Sequence, residues 1–203
     1  MRSRARGALA MAAVALAASL ALAGCASSDG IAGSYLGGDY TSGDGATTVI
    51  AAKNRAKPVS YTATEANGSA VTSAGLLGKV VVINFWYAQC GPCIAEAPRL
   101  EKLNTTFGGK GVQFLGVDIN DLAPQALQFQ STHGVTYPTT IETGHSSPMR
   151  FAFSGKVSPT TTPTTLVIDK RGRVAARFSG EITSDQASVL SEVIHDTLTE
   201  KAG

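Results

Sequence analysis

Cys90 and Cys93 are separated by Gly91 and Pro92, and they are two of the three cysteines in the 203-residue chain. They follow an apolar run at 79–86 that predicts a buried strand, and they precede a stretch that predicts a helix. At a helix N-terminus, free N–H groups and the positive end of the dipole favour a thiolate over a thiol. In Cys-X-X-Cys sites the thiol pKa falls from ~8.5 to between ~3.5 and ~7.5. The spacing therefore predicts a redox-active dithiol.

Three other uses of this cysteine pair are disfavoured by the sequence around it. A structural zinc site needs four ligands, and no second Cys or His pair has a suitable spacing. Covalent haem attachment needs His directly after the second cysteine, where Ile94 stands. A purely structural disulfide across two residues would constrain little of the unfolded chain. We therefore expect Cys90, nearer the helix start, to attack a substrate disulfide and Cys93 to resolve the mixed disulfide.

The N-terminal segment predicts export. Three arginines among the first six residues precede an apolar stretch from about residue 8 to 23, as in a signal peptide. The stretch ends Leu22-Ala23-Gly24-Cys25, which resembles the lipobox of bacterial lipoproteins and implies a signal at 1–24 and a lipid anchor on Cys25. Plain secretion after cleavage at Ala23, or an uncleaved anchor, stays open. Cleavage at Ala23 would leave an odd free thiol in an oxidising compartment, which favours lipidation.

Charge and composition describe the rest of the chain. The net charge of +2 comes from the signal arginines, so the remainder is slightly acidic and predicts no nucleic-acid partner. Residues 25–57 are rich in Gly, Ser, Thr, Ala and Asp, which predicts a flexible tether because so little apolar surface can be buried. Residues 58–203 have a normal length for one domain.

The patterns after residue 58 alternate between strands and helices. Asn67-Gly68, between short β-compatible pieces, predicts a hairpin within 59–77. Further strands are predicted at 79–85, 112–119, 135–142, 164–169 and 174–178, and helices at 92–107, 124–133 and 147–153. Ser184, as an N-cap, is expected to open a last helix. This order predicts an α/β fold with a mixed sheet and helices on both faces.

The segment 84–98, Asn-Phe-Trp-Tyr-Ala-Gln-Cys-Gly-Pro-Cys-Ile-Ala-Glu-Ala-Pro, resembles the active-site segment of the thioredoxin superfamily. Within it the chain is similar to the TlpA/ResA-like branch, thioredoxin-like proteins tethered to the membrane outside the cytoplasm. The lipobox and tether fit that branch. Asn84 stands where cytoplasmic thioredoxins carry a buried Asp, and Glu96 matches a glutamate that the branch keeps near the dithiol.

The resemblance implies a thioredoxin-like fold, with a central mixed β-sheet flanked by helices and an N-terminal β-hairpin extension. It also implies further site residues. The segment 162–169 matches the cis-proline segment, so Pro163 would lie against the disulfide and the Thr162 backbone would pair with the substrate chain. Trp86 is most simply a packing aromatic beneath the site, with substrate contact as a second role. Gln89 is expected at the substrate groove, although most members carry Trp in its place, which leaves the shape of the groove open.

Two of these assignments have ordinary alternatives. Pro163 could be a plain turn or strand-start proline. Glu96 could be a solvated residue in the first turns of its helix; buried near Cys93, it would have a raised pKa and pass protons to the resolving thiol. The chain's histidines have no metal-ligand spacing and are expected at the surface or at caps: His133, His145 and His195.

The function implied by the resemblance is thiol–disulfide exchange with exported proteins, without a bound cofactor or metal, by a monomer on the extracytoplasmic face of the cell membrane. Reduction is expected, for example of apocytochrome c cysteines, with electrons from a membrane thiol donor. Oxidative folding of secreted proteins is the alternative. A peroxiredoxin is disfavoured by the adjacent second cysteine, and a copper-binding assembly factor by the absence of the usual three-residue spacing and added His.

Overall fold

The computed structural model describes residues 39–44, 46–143, 147–155 and 162–200. The predicted signal, Cys25, His145 and the first part of the predicted tether lie outside the described residues. Within the described ranges, none of the helices has both the length and the apolar character needed to cross a bilayer.

Nine strands and four α-helices make up the described chain. The strands are β1 (Tyr40–Thr41), β2 (Thr47–Val49), β3 (Thr62–Thr64), β4 (Ala70–Thr72), β5 (Val80–Trp86), β6 (Val112–Asp118), β7 (Thr139–Ile141), β8 (Thr164–Ile168) and β9 (Val174–Ser179). The helices are α1 (Gly91–Phe107), α2 (Ala123–His133), α3 (Pro148–Ala152) and α4 (Ser184–Thr199), with a short 3-10 turn at Ala74–Leu76.

Seven strands form one mixed sheet in the order β1-β2-β9-β8-β5-β6-β7. β5, β6 and β7 are parallel, β8 runs antiparallel to β5, and β9 runs antiparallel to β8. The strands β3 and β4 form the predicted N-terminal hairpin around Asn67-Gly68, with Gly68 at a φ of 88°. The predicted thioredoxin-like fold is confirmed.

The apolar run of β5 is buried on both faces because the sheet is covered on both sides. Side chains alternate along a strand. Val80 and Val82 therefore pack with residues of α1 and α4, whereas Val81 and Ile83 pack on the other face with residues of β3 and α3. The continuous β-branched run thus predicts a central strand correctly, and that strand carries the active-site loop at its C-terminal end.

The prediction of a tether over the whole of 25–57 is wrong for its second half. β2 pairs with β9 and extends the main sheet, and β1 pairs with β2. The side chain of Arg55 is only 3% exposed and binds Asp169 at 3.0 Å and Glu200 at 2.6 Å. The domain therefore begins well before residue 58. Backbone pairing and an ion pair order this segment, and neither is visible in its composition.

The last helix begins one residue earlier than predicted. Its N-cap is Thr183 and not Ser184. The hydroxyl of Thr183 accepts the N–H of Gln186 at 3.3 Å, and the Gln186 side chain accepts the N–H of Thr183 at 3.4 Å. This reciprocal pair is a capping box, which satisfies two N–H groups at the helix end.

Candidate active site

The two cysteines of the Cys-X-X-Cys motif lie at the junction of β5 and α1 and are joined by a disulfide. Cys90 is the N-cap of α1, and its sulfur accepts the N–H of Cys93 at 3.2 Å. An acceptor at this position is stabilised by helix N–H groups and by the dipole, so the reduced Cys90 sulfur is favoured as a thiolate. Gly91 and Pro92 are exposed beside it. Cys90 itself is only 3% exposed, so the accessible side of this turn is the one that Gly91 and Pro92 form.

Glu96 lies beneath the dithiol and is only 1% exposed, so the alternative of a solvated glutamate is wrong. Its Oε1 accepts the Asn84 Nδ2 at 2.7 Å, and its Oε2 accepts the N–H of Ile182 at 2.8 Å. Asn84 also donates to the hydroxyl of Thr165 at 3.1 Å. Residues from β5, α1, β8 and the segment before α4 thus meet at one buried carboxyl group.

The ionisation of Glu96 is set by two opposing effects. Burial raises its pKa from the ordinary value of 4.5 to about 7, although the hydrogen bonds from Ile182 and Asn84 oppose the rise. Residues three apart on a helix lie on the same face, with Cβ atoms about 5–6 Å apart, so Glu96 is next to Cys93. A carboxyl group with a pKa near neutrality can both accept and return a proton at that position.

The Thr162–Pro163 peptide bond is cis, and Pro163 is buried at the start of β8. The carbonyl oxygen of Pro163 accepts the N–H of Gly180 at 2.8 Å. In the antiparallel register of β5 and β8, Phe85 is opposite Thr164. The sheet register therefore brings Pro163 and the half-buried Thr162 to the end of β5, where the loop to Cys90 begins.

Trp86 and Gln89, the two candidates for side-chain contact with the substrate, have different environments. Gln89 is exposed directly before Cys90, so it lies on the accessible surface of the site. Trp86 is only 3% exposed and its ring packs on Phe129 with a centroid distance of 4.2 Å. The assignment of Trp86 to substrate contact is therefore wrong in this structure, because core packing between β5 and α2 covers its side chain.

Comparison with known proteins identifies the family. The model of the family described as Redoxin matches residues 51–194, which includes the dithiol, Glu96 and Pro163. The chain belongs to the Redoxin family.

Individual relatives of this Redoxin chain are similar in sequence and in structure. It is 29% identical over 126 residues to the thiol-disulfide oxidoreductase ResA of Bacillus thuringiensis, covering 62% of this chain and 69% of that protein. A DsbF homologue from Corynebacterium diphtheriae superposes with a TM-score of 0.65 at 28% identity, covering 79% of this chain and 99% of that one. A secreted thiol-disulfide isomerase from Corynebacterium glutamicum superposes with a TM-score of 0.65 at 25% identity, covering 79% and 97%.

Together with the Cys90–Cys93 disulfide, these relatives make this Redoxin chain a TlpA/ResA-like member of the thioredoxin superfamily and a thiol–disulfide oxidoreductase. Enzymes of this kind act on protein thiols and disulfides. The predictions of fold, family and enzyme class are confirmed.

The Redoxin site also depends on residues that sequence reasoning missed. Asp118 ends β6 opposite Trp86, and Asp121 follows three residues later. The Oδ2 of Asp121 accepts the N–H of Ala88 at 2.5 Å, in the loop that leads to Cys90. Both aspartates lie at the C-terminal end of β6, the parallel strand next to β5. Functional groups of α/β sheets commonly lie at such strand ends. This position is the sequence signal that could have identified them.

The described histidines of this Redoxin chain do not join the site. The ring of His133 packs on Phe129, with a centroid distance of 4.4 Å. His195 is exposed and lies 3.5 Å from Asp196. Within the part of the chain that the structure describes, no group of three His, Cys, Asp or Glu side chains is placed to hold a metal ion.

Replacing Gly116 with alanine should destabilise the floor of the site. A Cβ at this position would overlap the hydroxyl of Thr139 and would lie 2.9 Å from the Trp86 Nε1. Forcing a methyl group into a packed core costs about 1–3 kcal/mol. Urea denaturation should therefore show a lower free energy of unfolding for Gly116→Ala, whereas the matched control Gly43→Ala, where nothing lies within 4 Å of the added Cβ, should stay close to wild type. Equal stabilities of the two variants would contradict this packing.

Proposed function

We propose that this oxidoreductase works on the extracytoplasmic face of the cell membrane, anchored by a lipid on Cys25, and reduces disulfides of exported proteins. The observation that carries the exchange reaction is the Cys90–Cys93 pair at the N-terminus of α1, directly above the buried carboxyl of Glu96. The reductive direction is supported by the likeness to ResA and by Gly91-Pro92, the dipeptide of thioredoxin. Exported proteins with cysteine pairs, such as apocytochrome c, are the proposed substrates.

The reaction consists of two disulfide exchanges that conserve electrons. The Cys90 thiolate attacks one sulfur of the substrate disulfide, a mixed disulfide forms, and the other substrate sulfur leaves as a thiolate and takes a proton. Cys93 then attacks the Cys90 sulfur, which releases the second substrate thiolate and forms the Cys90–Cys93 disulfide. Two electrons pass from the dithiol to the substrate, and a membrane thiol donor restores the dithiol by the reverse exchange.

Glu96 supplies the proton transfer that the second exchange needs. Cys93 is buried, and a buried thiol resists ionisation because its thiolate loses solvation. The carboxylate of Glu96 accepts the Cys93 proton as the sulfur attacks. Its pKa of about 7 leaves a large fraction ionised at neutral pH while keeping its affinity for the proton high.

The substrate chain is proposed to bind across the exposed face of the Cys90 turn. The backbone of Thr162, at the mouth of β8, is placed to pair with an extended peptide as an added strand, which gives affinity without sequence preference. Gln89, exposed beside Cys90, contributes a polar side chain to the same surface.

Oxidative folding of secreted proteins is the second candidate function, favoured by the likeness to the secreted thiol-disulfide isomerase of Corynebacterium glutamicum. The same two exchanges run in reverse, so the direction depends on the reduction potential of the Cys90–Cys93 pair. Equilibration with glutathione or dithiothreitol measures it. A reduction potential of about −270 mV, as in thioredoxin, or lower supports a reductant. A potential of about −120 mV, as in DsbA, supports an oxidase.

The lipid anchor has its own test. In cells, a Cys25→Ser variant should move from the membrane fraction to the soluble exported fraction, because the acceptor thiol for the lipid is gone. Detergent partitioning and mass spectrometry of the mature N-terminus measure the change. Wild-type protein that is cleaved after Ala23 and carries no lipid would contradict the anchor and leave the exchange chemistry intact.

A further inference from the structure

Two aspartates at the C-terminal end of β6 lie beside the loop that leads to the attacking cysteine. Asp118 pairs with Trp86, the last residue of β5, in the parallel register of the two strands. The Oδ2 of Asp121 accepts the N–H of Ala88 at 2.5 Å. Ala88 is two residues before Cys90, so this bond fixes the backbone between the end of β5 and the N-cap of α1.

The carboxyl group of Asp118 is completely buried and incompletely satisfied. Its Oδ1 accepts the N–H groups of Asn120 at 3.0 Å and Asp121 at 2.9 Å. Its Oδ2 is buried without a donor from any described residue. The N–H of Asp121 on Oδ1 places Asp121 directly against this carboxyl group. A buried carboxylate oxygen without a donor is costly when ionised, so this geometry favours a proton on Asp118.

The surrounding charges are consistent with a proton on Asp118. Burial raises the pKa of Asp118 to about 6; the N–H groups of Asp121 and Asn120 oppose this rise, and the charge of Asp121 adds to it. Among the described residues, Asp121 is the charged group that acts on Asp118. Glu142 donates its N–H to the Asp118 carbonyl oxygen at 2.8 Å, but its own carboxylate is engaged at the N-terminus of α3.

We propose that Asp118, which holds a proton, and Asp121 form a carboxyl pair that positions the loop before Cys90 and, through its charge, controls the reactivity of the Cys90 sulfur. Two residues of extended chain span at most about 7 Å, so the Asp121 carboxylate lies within about 10 Å of Cys90. When the proton on Asp118 leaves, a second negative charge appears beside Asp121 and disfavours the thiolate. The pair is a positioning element for the exchange reaction in either direction of electron flow.

The test compares Asp118→Asn and Asp121→Ala with the matched control Asp185→Asn, an exposed aspartate in the first turn of α4. An amide at position 118 keeps the shape of the side chain but does not ionise. The Cys90 thiol pKa, measured on the reduced protein from the pH dependence of alkylation and located by mass spectrometry, should fall by roughly half a unit to one unit in Asp118→Asn. Asp121→Ala also removes the partner of Ala88, so its disulfide exchange rate should fall several-fold. The control should match wild type in both measurements.

A thiol pKa in Asp118→Asn equal to that of the control would overturn the proposal. Should either variant fail to fold, wild-type protein supplies an independent measurement. The amide ¹⁵N shift of Ala88, followed by NMR from pH 4 to 8, should titrate near pH 6, because burial raises the pKa of the neighbouring Asp118 to about 6. A flat profile for Ala88 over this range would overturn the proposal.

Discussion

The Cys90→Ser variant is expected to lose thiol–disulfide exchange by a factor of about 10³ or more, because a serine hydroxyl at the N-cap does not ionise at neutral pH. The Cys93→Ser variant should keep the first exchange and lose the second, so mixed disulfides with substrates should accumulate. Reduction of insulin disulfides measures the loss in both variants. Non-reducing gels of cells that express Cys93→Ser should show covalent complexes that disappear on reduction.

The two variants control for each other, since both remove one sulfur from the same turn of α1. Covalent complexes should form with Cys93→Ser and should be absent with Cys90→Ser. If neither variant captured a protein, or if Cys90→Ser were the one that did, the assignment of Cys90 as the attacking sulfur would be wrong.

The Glu96→Gln variant should slow the resolving exchange about 100-fold at pH 7, within the range for loss of a general base. The first attack by Cys90 should change little, because that sulfur is ionised by the helix N-terminus. Stopped-flow measurement of mixed-disulfide formation and decay separates the two steps. Glu192→Gln, an exposed position on α4, is the matched control. An equal slowing of both steps would indicate a damaged fold and not a missing base.

Glu96 also makes stability depend on pH. A carboxyl whose pKa is raised on folding favours the protonated folded state, so its contribution is most favourable below the unfolded pKa of 4.5 and is lost as the pH rises to about 7. Since one pKa unit corresponds to about 1.4 kcal/mol, the free energy of unfolding should fall by on the order of 3 kcal/mol across this window. Urea denaturation at several pH values should show this fall in wild type and in Glu192→Gln, and a smaller fall in Glu96→Gln, where the raised pKa of Asp118 still contributes. A parallel fall in Glu96→Gln would assign the pH dependence to other groups.

Local patterns in the sequence were sufficient to predict the parts of the site that are contiguous. The β-branched run of β5, the dithiol and the helix after it occupy one short segment, so strand, turn and helix follow from residue types alone. The position of Glu96, three residues after Cys93, was also visible. Its burial was not, because Ile182, which binds the carboxylate, lies far along the chain, as does Thr165, which binds Asn84.

Packing of side chains explains the remaining errors at the site. An aromatic residue beside a dithiol can face either a substrate or the core, and the sequence does not say which. In the structure the Trp86 ring faces the core, because it packs on Phe129 of α2, which is more than forty residues away in the chain. Asp121 was overlooked for a related reason, since its bond to the Ala88 N–H exists only because β5 and β6 are neighbours in the sheet.

The pairing of β2 with β9 has a practical consequence for any shortened form of this protein. A chain started at residue 58, as composition suggests, would lack Arg55 and the strands β1 and β2. β9 would then present a row of unsatisfied backbone N–H and C=O groups along the margin of the sheet, the arrangement that promotes self-association between molecules. Glu200 would lose the guanidinium that now binds it. Recombinant protein for redox assays should therefore retain the residues from Asp39 onward, so that the margin stays covered.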